Sequence, residues 1–492
     1  MSSYEPVERV FGSETELCSL VLLQEQQAML NGKLPKQLGS SVLSKAINGF
    51  HRLDAGDFFQ FYDDIGLSLQ LSSFAEGSYR FTSNNVITAN GGRLYIDSGD
   101  HMEVTTPEVR TARQVVLYEL AAEQIAVNAF RAMVDFGVAD AFRMNKRNFD
   151  RVGNSWGAHE NLHVSTVLEN EEYHYRQLFA AHNVTRAIYT GSGGVLQSAQ
   201  NRFVTSPRLY LCGELTNSAP YASLKPIVFY GLKDLDDDRG RYHNVSGDAN
   251  SSPFAILAKH AMNSVVARLI EAGIDMSEIY LDDPLEAAYQ VSTVANLKQK
   301  TPIILLSNGE MASASMIQRY ICETALSHAD QIGLTKEEIA VTLEVQRVCE
   351  QIERDIDDVS DCVEWVARLR YLQRTFDTED LLAVDQSGDL FAADMHWDRI
   401  DGGKAAAIRT KGWGWRGFDR AFGRHDIDRA KTTPPMDTRA NKRISVLSQG
   451  VMLARATIGF LEVRHGDLKT EIKMFDPLDS TPVGQLSTHD IE

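Results

Sequence analysis

The chain has 492 residues, 43% hydrophobic and 24% charged, with 49 Lys and Arg against 67 Asp and Glu for a net charge of −18. That length accommodates one large domain, a smaller second one and a sizeable core. The acidic balance argues against nucleic-acid binding, which calls for a basic face, and the sequence has no run of about 18 apolar residues to span a membrane.

The N-terminal MSSYEPVERV carries acids and no apolar stretch, which argues against a secretory leader. Cys18, Cys212, Cys322, Cys349 and Cys362 are scattered, with no C-x-x-C pair. They suggest neither a disulfide framework nor a zinc site, and a reducing cytoplasm is the expected setting.

Residues 9–17 predict a strand whose alternation puts Glu14 and Glu16 on one face. Residues 32–52 carry Gly, Pro and Ser around a short helical stretch, and 53–85 predict a long excursion or lid. Asn90-Gly91-Gly92 signals a turn before a strand over 93–97, with Arg93, Tyr95 and Asp97 on one face and Leu94 and Ile96 on the other. A helix is expected to start at Thr105-Thr106-Pro107-Glu108, with Thr as its cap and Pro in the first turn. Strands are expected over 158–168, 183–190, 208–213 and 226–231, and a helix over 253–273. The acidic run 234–238 reads as a solvated loop. A strongly helical stretch covers 335–374, and 425–441 reads as a linker. Residues 444–476 predict a helix and then short strands, giving domains 1–425 and 426–492. The mixture is α+β, an antiparallel sheet with flanking helices.

Three acidic clusters carry the candidate chemistry: Glu14 with Glu16, Asp97 beside Tyr95 and Arg93, and Glu103 in His101-Met102-Glu103. Carboxylates converging from several strands suit magnesium, which takes hard oxygen ligands and bridges nucleotide phosphates. Gly153-Asn154-Ser155-Trp156-Gly157-Ala158-His159-Glu160-Asn161 offers a His and a Glu on opposite strand faces. A metal or nucleotide role there competes with a hydrogen-bonded core histidine and an exposed acid. Gly191-Ser192-Gly193-Gly194 is Gly-rich but reads as a plain turn, because no Gly-Lys-Ser/Thr follows.

In that combination the chain resembles the Pup ligase and Pup deamidase/depupylase family. Gly12–Glu16 resembles that family's G-x-E-x-E opening, and Asn90–Asp97 with His101-Met102-Glu103 its N-G-A-R-L-Y-x-D…H-P-E. Gly153–Asn161 is similar to G-N-S-Y-G-x-H-E-N, and Val184-Thr185-Arg186 with Gly191-Ser192-Gly193 to V-T-R…G-A-G. His243–Asn250 is similar to H-V-I-V-G-D-A-N, and Pro434–Ala440 to P-P-x-D-T-R-A. Met102 and Pro253 depart from the pattern, and no N-T-R-D-E-P-H-A segment stands near Phe229–Asp234.

The resemblance implies a glutamine-synthetase-like fold, a curved antiparallel sheet cradle with flanking helices and a small C-terminal domain, using ATP and Mg2+. It implies Glu14, Glu16, Tyr95, Glu103 and His159 around the metal, and Arg93, Thr106, Arg241 and Arg439 around the nucleotide, with Asp97 catalytic. The expected partners are a Pup-like tag and tagged proteins. The long stretch before Asn90, Asp437 and the tail Met474–Leu478 lean toward deamidation or hydrolysis of the tag's isopeptide bond. Ligation of the tag to lysine, a small-molecule carboxylate–amine ligase and a non-catalytic binding module remain as alternatives.

Overall fold

The structure, a computed structural model, describes residues 4–22, 79–82, 85–97, 101–135, 141–149, 155–165, 172–196, 202–217, 225–229, 239–293, 301–381, 384, 389–416, 418, 422–456, 460–465 and 468–484. The first part of the chain forms β1 (Phe11–Leu22), β2 (Tyr79–Thr82), β3 (Asn85–Ile87), β4 (Arg93–Asp97), β5 (His101–Thr105), α1 (Ala112–Asp135), β6 (Ala141–Asn145) and β7 (Ala158–Ser165). Then come α2 (Glu172–Thr185), α3 (Ala187–Thr190), β8 (Gly194–Leu196), β9 (Arg202–Val204), α4 (Pro207–Tyr210), β10 (Cys212–Asn217), β11 (Lys225–Phe229) and β12 (Arg239–Asn244). A helical stretch follows: α5 (Pro253–Glu271), α6 (Pro284–Ser292), the hairpin β13 (Ile303–Leu305) and β14 (Met311–Ser313), α7 (Ala314–Ser327), α8 (Lys336–Arg354), α9 (Glu364–Phe376), α10 (Asp389–Asp398) and α11 (Lys404–Arg409). The chain closes with α12 (Arg424–Ala430), α13 (Arg439–Leu447), β15 (Met452–Ala456), β16 (Phe460–His465) and β17 (Leu468–Lys473). No described helix is long and apolar enough to cross a membrane.

Two compact units divide the chain. The first comprises Met1–Ser13, Thr111–Val116 and Lys146–Ala421, and the second Glu14–Arg110, Leu117–Asn145 and Phe422–Glu492. In the second unit β2, β3, β4, β5 and β1 pair in turn, all antiparallel, and β6 pairs the far half of β1. Thr15, Leu17, Leu94, Met102 and Val104 are buried on one face, while Glu14, Glu16, Arg93, Tyr95 and Thr105 on the other are half-buried. That is the two-residue alternation of a sheet with one apolar face. The C-terminal segment joins this unit through its core: Ile87 packs with Val446, Leu447, Leu453, Leu461, Val463 and Met474.

In the first unit β12 pairs β7 antiparallel. Helix α5 is buried along its whole length and touches β7, α2, α3, α7 and α8. Ile256, Leu257, Val265, Val266 and Leu269 fill its apolar sides, and the buried polar side chains it also carries, Lys259, Asn263, Ser264 and Arg268, are hydrogen-bonded. Its start follows from the sequence: Ser252 accepts from the Ala255 N–H, and Pro253 takes the first helical position.

The α+β reading holds, with an antiparallel sheet and flanking helices. Several local expectations change. The helix after Thr105 begins at Ala112, because Thr111 and Gln114 close a reciprocal cap: Gln114 N–H donates to Thr111 Oγ1 at 3.1 Å, and Thr111 N–H to Gln114 Oε1 at 3.2 Å. Residues 183–190, expected as a strand, are helical. The Thr185 and Thr190 hydroxyls bond the carbonyls of Ala181 and Arg186 four residues back, so β-branched residues sit in helix without unmet polar groups. Residues 208–213 begin as the short helix α4, with Ser206 capping and Pro207 at its start. The stretch 335–374 is broken after Arg354, where Asp355 ends α8 and α9 starts only at Glu364. The linker at 425–441 contains α12 and the start of α13. The lid at 53–85 falls mostly outside the described residues, as do the short helical stretch at 32–52 and the acidic run at 234–238.

Candidate active site

The register of the second unit aligns the predicted acids. Glu14 is the Cα partner of Thr105, and Glu16 of Glu103. On the far side of β5, Arg93 partners Thr105, Tyr95 partners Glu103, and Asp97 partners His101. Two rows therefore cross three strands, Glu14–Thr105–Arg93 and Glu16–Glu103–Tyr95, with Asp97 one step further along β4. Directly opposed side chains lie within contact range. Glu103 is buried at 2% exposure. The guanidinium of Arg93 has its pKa lowered, first by burial and then by Arg443, against the pull of Glu108, Tyr95 and Glu14. Of Asp97 the structure fixes the backbone register alone.

A turn and a latch hold these rows. Gly91 adopts φ +86°, open to glycine, and a Cβ on Gly92 would lie 2.4 Å from the Thr105 carbonyl. Asn90 Oδ1 accepts from the Thr88 hydroxyl at 2.6 Å and the Gly92 N–H at 3.0 Å. Thr106 follows β5 directly and is buried. Glu108 comes next but one. Arg439 Nε donates to its Oε1 at 2.7 Å, and Arg443 donates to both its oxygens, at 2.7 and 3.0 Å. Burial opposes ionisation of Glu108, but Arg443 and Arg439 outweigh it and hold the carboxyl well below its ordinary range. Arg439 also donates from Nη1 to the carbonyls of Met474 and Phe475, and Arg443 to that of Gly91. The segment expected to touch nucleotide is thus a buried clamp on Glu108. Sequence reasoning missed Glu108; its signal was two arginines four residues apart, on one helix face.

In the first unit His159 and Arg241 lie on the paired strands β7 and β12. The His159 and His243 rings meet edge to face at 5.0 Å. Asn161 Oδ1 accepts from Arg241 Nη1 at 3.0 Å and from His243 Nδ1 at 2.7 Å, which in a neutral ring puts the His243 lone pair on Nε2. A Cβ on Gly157 would lie 2.6 Å from His159 Nε2, so the bare glycine makes room for that ring.

The opposite face reverses the plain alternative for His159 and Glu160. Glu160 is the core residue: Arg186 donates to both its oxygens at 2.8 Å, and Asn263 and Asn244 donate to Oε2. Burial pushes the Glu160 pKa up, yet Arg186 and Lys259 hold it well below the usual value. The remaining motifs close this scaffold. Asp248 accepts from the backbone N–H groups of Ser192 and Arg208 at 2.8 and 2.9 Å, and Asn250 donates to the Thr190 carbonyl at 2.8 Å. Residues 191–193, expected as a plain turn, form an irregular link between α3 and β8, with Gly193 at φ +69°, where a Cβ would lie 2.9 Å from the Trp365 Cα.

The chain as a whole is similar to known proteins. A family described as "Pup-ligase protein" matches residues 9–457. The chain is 31% identical over 375 residues to a Pup–protein ligase of Kribbella flavida, covering 73% of this chain and 80% of that protein. A Pup–protein ligase of Actinosynnema mirum is 29% identical, with 73% and 79% covered. Among solved structures, a complex between the prokaryotic ubiquitin-like protein Pup and its ligase PafA aligns with a TM-score of 0.75 at 21% identity, over 96% of this chain and 90% of that one. The ligase PafA in complex with ADP aligns at 0.69 and 21%, over 85% and 92%. The two solved structures establish the shared fold, and the family match with the Kribbella relative establishes descent: this chain belongs to the Pup-ligase family of enzymes.

Proposed function

We propose that the chain is a Pup–protein ligase, joining the carboxylate of the tag's C-terminal glutamate to a lysine amine of a target protein with ATP. The observation that carries this reading is the placement of Glu14, Glu16, Glu103 and Tyr95 on three adjacent strands in matching register. Three carboxylates and a phenol are the hard oxygen donors that suit magnesium beside phosphates. The sequence reading led with hydrolysis. The two curated relatives are named as ligases, which supports the ligation alternative over it. The setting proposed is the reducing cytoplasm, where the five cysteines would stay free thiols.

The chemistry assigned to each residue follows from its type. Glu14, Tyr95 and Glu103 would hold magnesium, with Glu16 as a further ligand. The ion would offset charge on the phosphates and on the transferring phosphoryl group. Arg93 and Thr106 would hold the nucleotide. Arg439, the further nucleotide candidate, has Nε and Nη1 committed to Glu108 and two carbonyls, so it would also fix Glu108. The tag carboxylate attacks the γ-phosphorus, the β–γ bridging P–O bond breaks, and ADP departs. Asp97 takes a proton from the lysine ammonium. The freed amine attacks the acyl carbon, the C–O bond to phosphate breaks, and inorganic phosphate leaves carrying the second amine proton.

The test is incubation with a Glu-ended tag, a lysine-bearing target, ATP and magnesium, followed by mass spectrometry of the target. Ligation predicts a target heavier by one tag, with ADP and phosphate in equal amounts. Release of tag from a preformed conjugate, with no conjugate made, would contradict it.

A further inference from the structure

The first unit carries a concavity of about 430 Å³, lined by one face of α9 and by α11. That volume is in the range of small-molecule sites. Tyr371 and Arg374 on α9 lie three residues apart and so share a face. Lys404 starts α11, and Trp413 follows it. The Trp397 ring lies 5.7 Å from Tyr371 and 5.6 Å from Trp413.

What the lining offers a ligand is narrow. Both indole N–H groups are committed inside the protein, Trp413 Nε1 to the Ser360 carbonyl at 3.0 Å and Trp397 Nε1 to Glu364 Oε1 at 3.1 Å. The hydroxyl protons at the rim are committed too, Ser360 to the Asp357 carbonyl and Thr375 to that of Tyr371. The rings therefore present apolar surface and no indole donors. Three cations line the space, and no carboxylate does among the described residues. Arg370 is held by Asp357 at 2.6 Å and Gln373 at 2.7 Å. Arg374 is exposed and makes no ion pair among the described residues. Lys404 Nζ lies 5.6 Å from the Tyr371 ring centroid, inside cation–π range, and likewise has no described acid. In a chain of net charge −18 this local excess of positive charge is unusual.

We propose that this concavity is a binding site for a small organic anion, a carboxylate or phosphate carried on a flat apolar body. The body would lie along Trp413 and Tyr371, and the charge between Arg374 and Lys404. A neutral analogue would forgo the cations, and a bare inorganic anion the aromatic surface. The chemistry fits a free metabolite or an acidic side chain beside an aromatic one in a peptide.

The experiment is calorimetric titration of the full chain, without nucleotide or magnesium, using phenyl phosphate. Benzyl alcohol and inorganic phosphate serve as partial analogues. The expected result is saturable binding of phenyl phosphate, at least tenfold tighter than either analogue. Arg374→Gln with Lys404→Gln is expected to weaken it at least tenfold with the circular dichroism spectrum unchanged; the exposed Arg374→Gln alone serves if the pair fails to fold. Displacement by an acetylated phenylalanyl-diglutamate peptide would assign the site to peptides, and failure to displace would assign it to free small anions. Absence of saturable binding, or equal affinity in the variants or for benzyl alcohol, would overturn the proposal.

Discussion

Glu16 and Glu103 oppose each other across β1 and β5, and like charges at that register repel. In the proposed site a divalent cation would turn that repulsion into a ligand set. Asp97 lies further along β4, at the end of the row. Asp97→Asn is expected to lower the conjugation rate by about 10²–10⁴-fold, the usual contribution of a general base, while ATP affinity stays within a few fold. Near-wild-type turnover in a single-turnover assay would remove Asp97 from the chemistry. Glu108 behaves differently. Its folded pKa lies below the ordinary carboxyl value of about 4.3, so its stabilising contribution is complete above about pH 5 and is lost as pH falls through the folded value. Glu108→Gln leaves Arg439 and Arg443 buried without their carboxylate, at a cost of about 3 kcal/mol. Urea unfolding should show that loss at pH 7 and a flatter acid arm below about pH 5; an unchanged acid arm would dismiss the clamp.

At the scale of elements, β7 owes its position to the scaffold behind it. A Cβ on Gly247 would fall 2.0 Å from Glu160 Oε1 and 3.2 Å from Arg186 Nη2. Gly247→Ala is therefore expected to destabilise the chain by about 1–3 kcal/mol in thermal unfolding, and a wild-type melting temperature would refute the close fit. This network marks where reading the sequence stops. Alternation alone placed Arg93, Tyr95 and Leu94 on their correct faces, because β4 is a strand with one apolar side. It could not reveal that Glu160 is the buried acid and His159 the half-buried residue, since that depends on Arg186 arriving from a helix 26 residues later. Residues 183–190 were expected as a strand, because Val184, Thr185 and Ile188 favour extended chain until the tertiary bonds from Gln318 to Thr185 and from Arg186 to Glu160 are included. Arg439 was legible as a conspicuous residue but not as a clamp, because Glu108 lies 331 positions away.

Over the whole molecule, substrate choice is the open variable of this superfamily chemistry. A ligase built for a protein tag should release ADP only when the tag is present. Free glutamate with a small amine should leave ADP release at background in a coupled assay, and vigorous release without the tag would favour a small-molecule ligase instead. In a chain of net charge −18, nucleotide would be held through local cations and the proposed metal rather than through net charge. The most direct measurement is therefore calorimetric titration with ATP, with and without magnesium, of the wild-type chain and of Glu14→Ala and Glu103→Gln. The account predicts tight binding that depends on magnesium in the wild type and loss of the magnesium-dependent part in both variants. An identical magnesium dependence in all three proteins would contradict it.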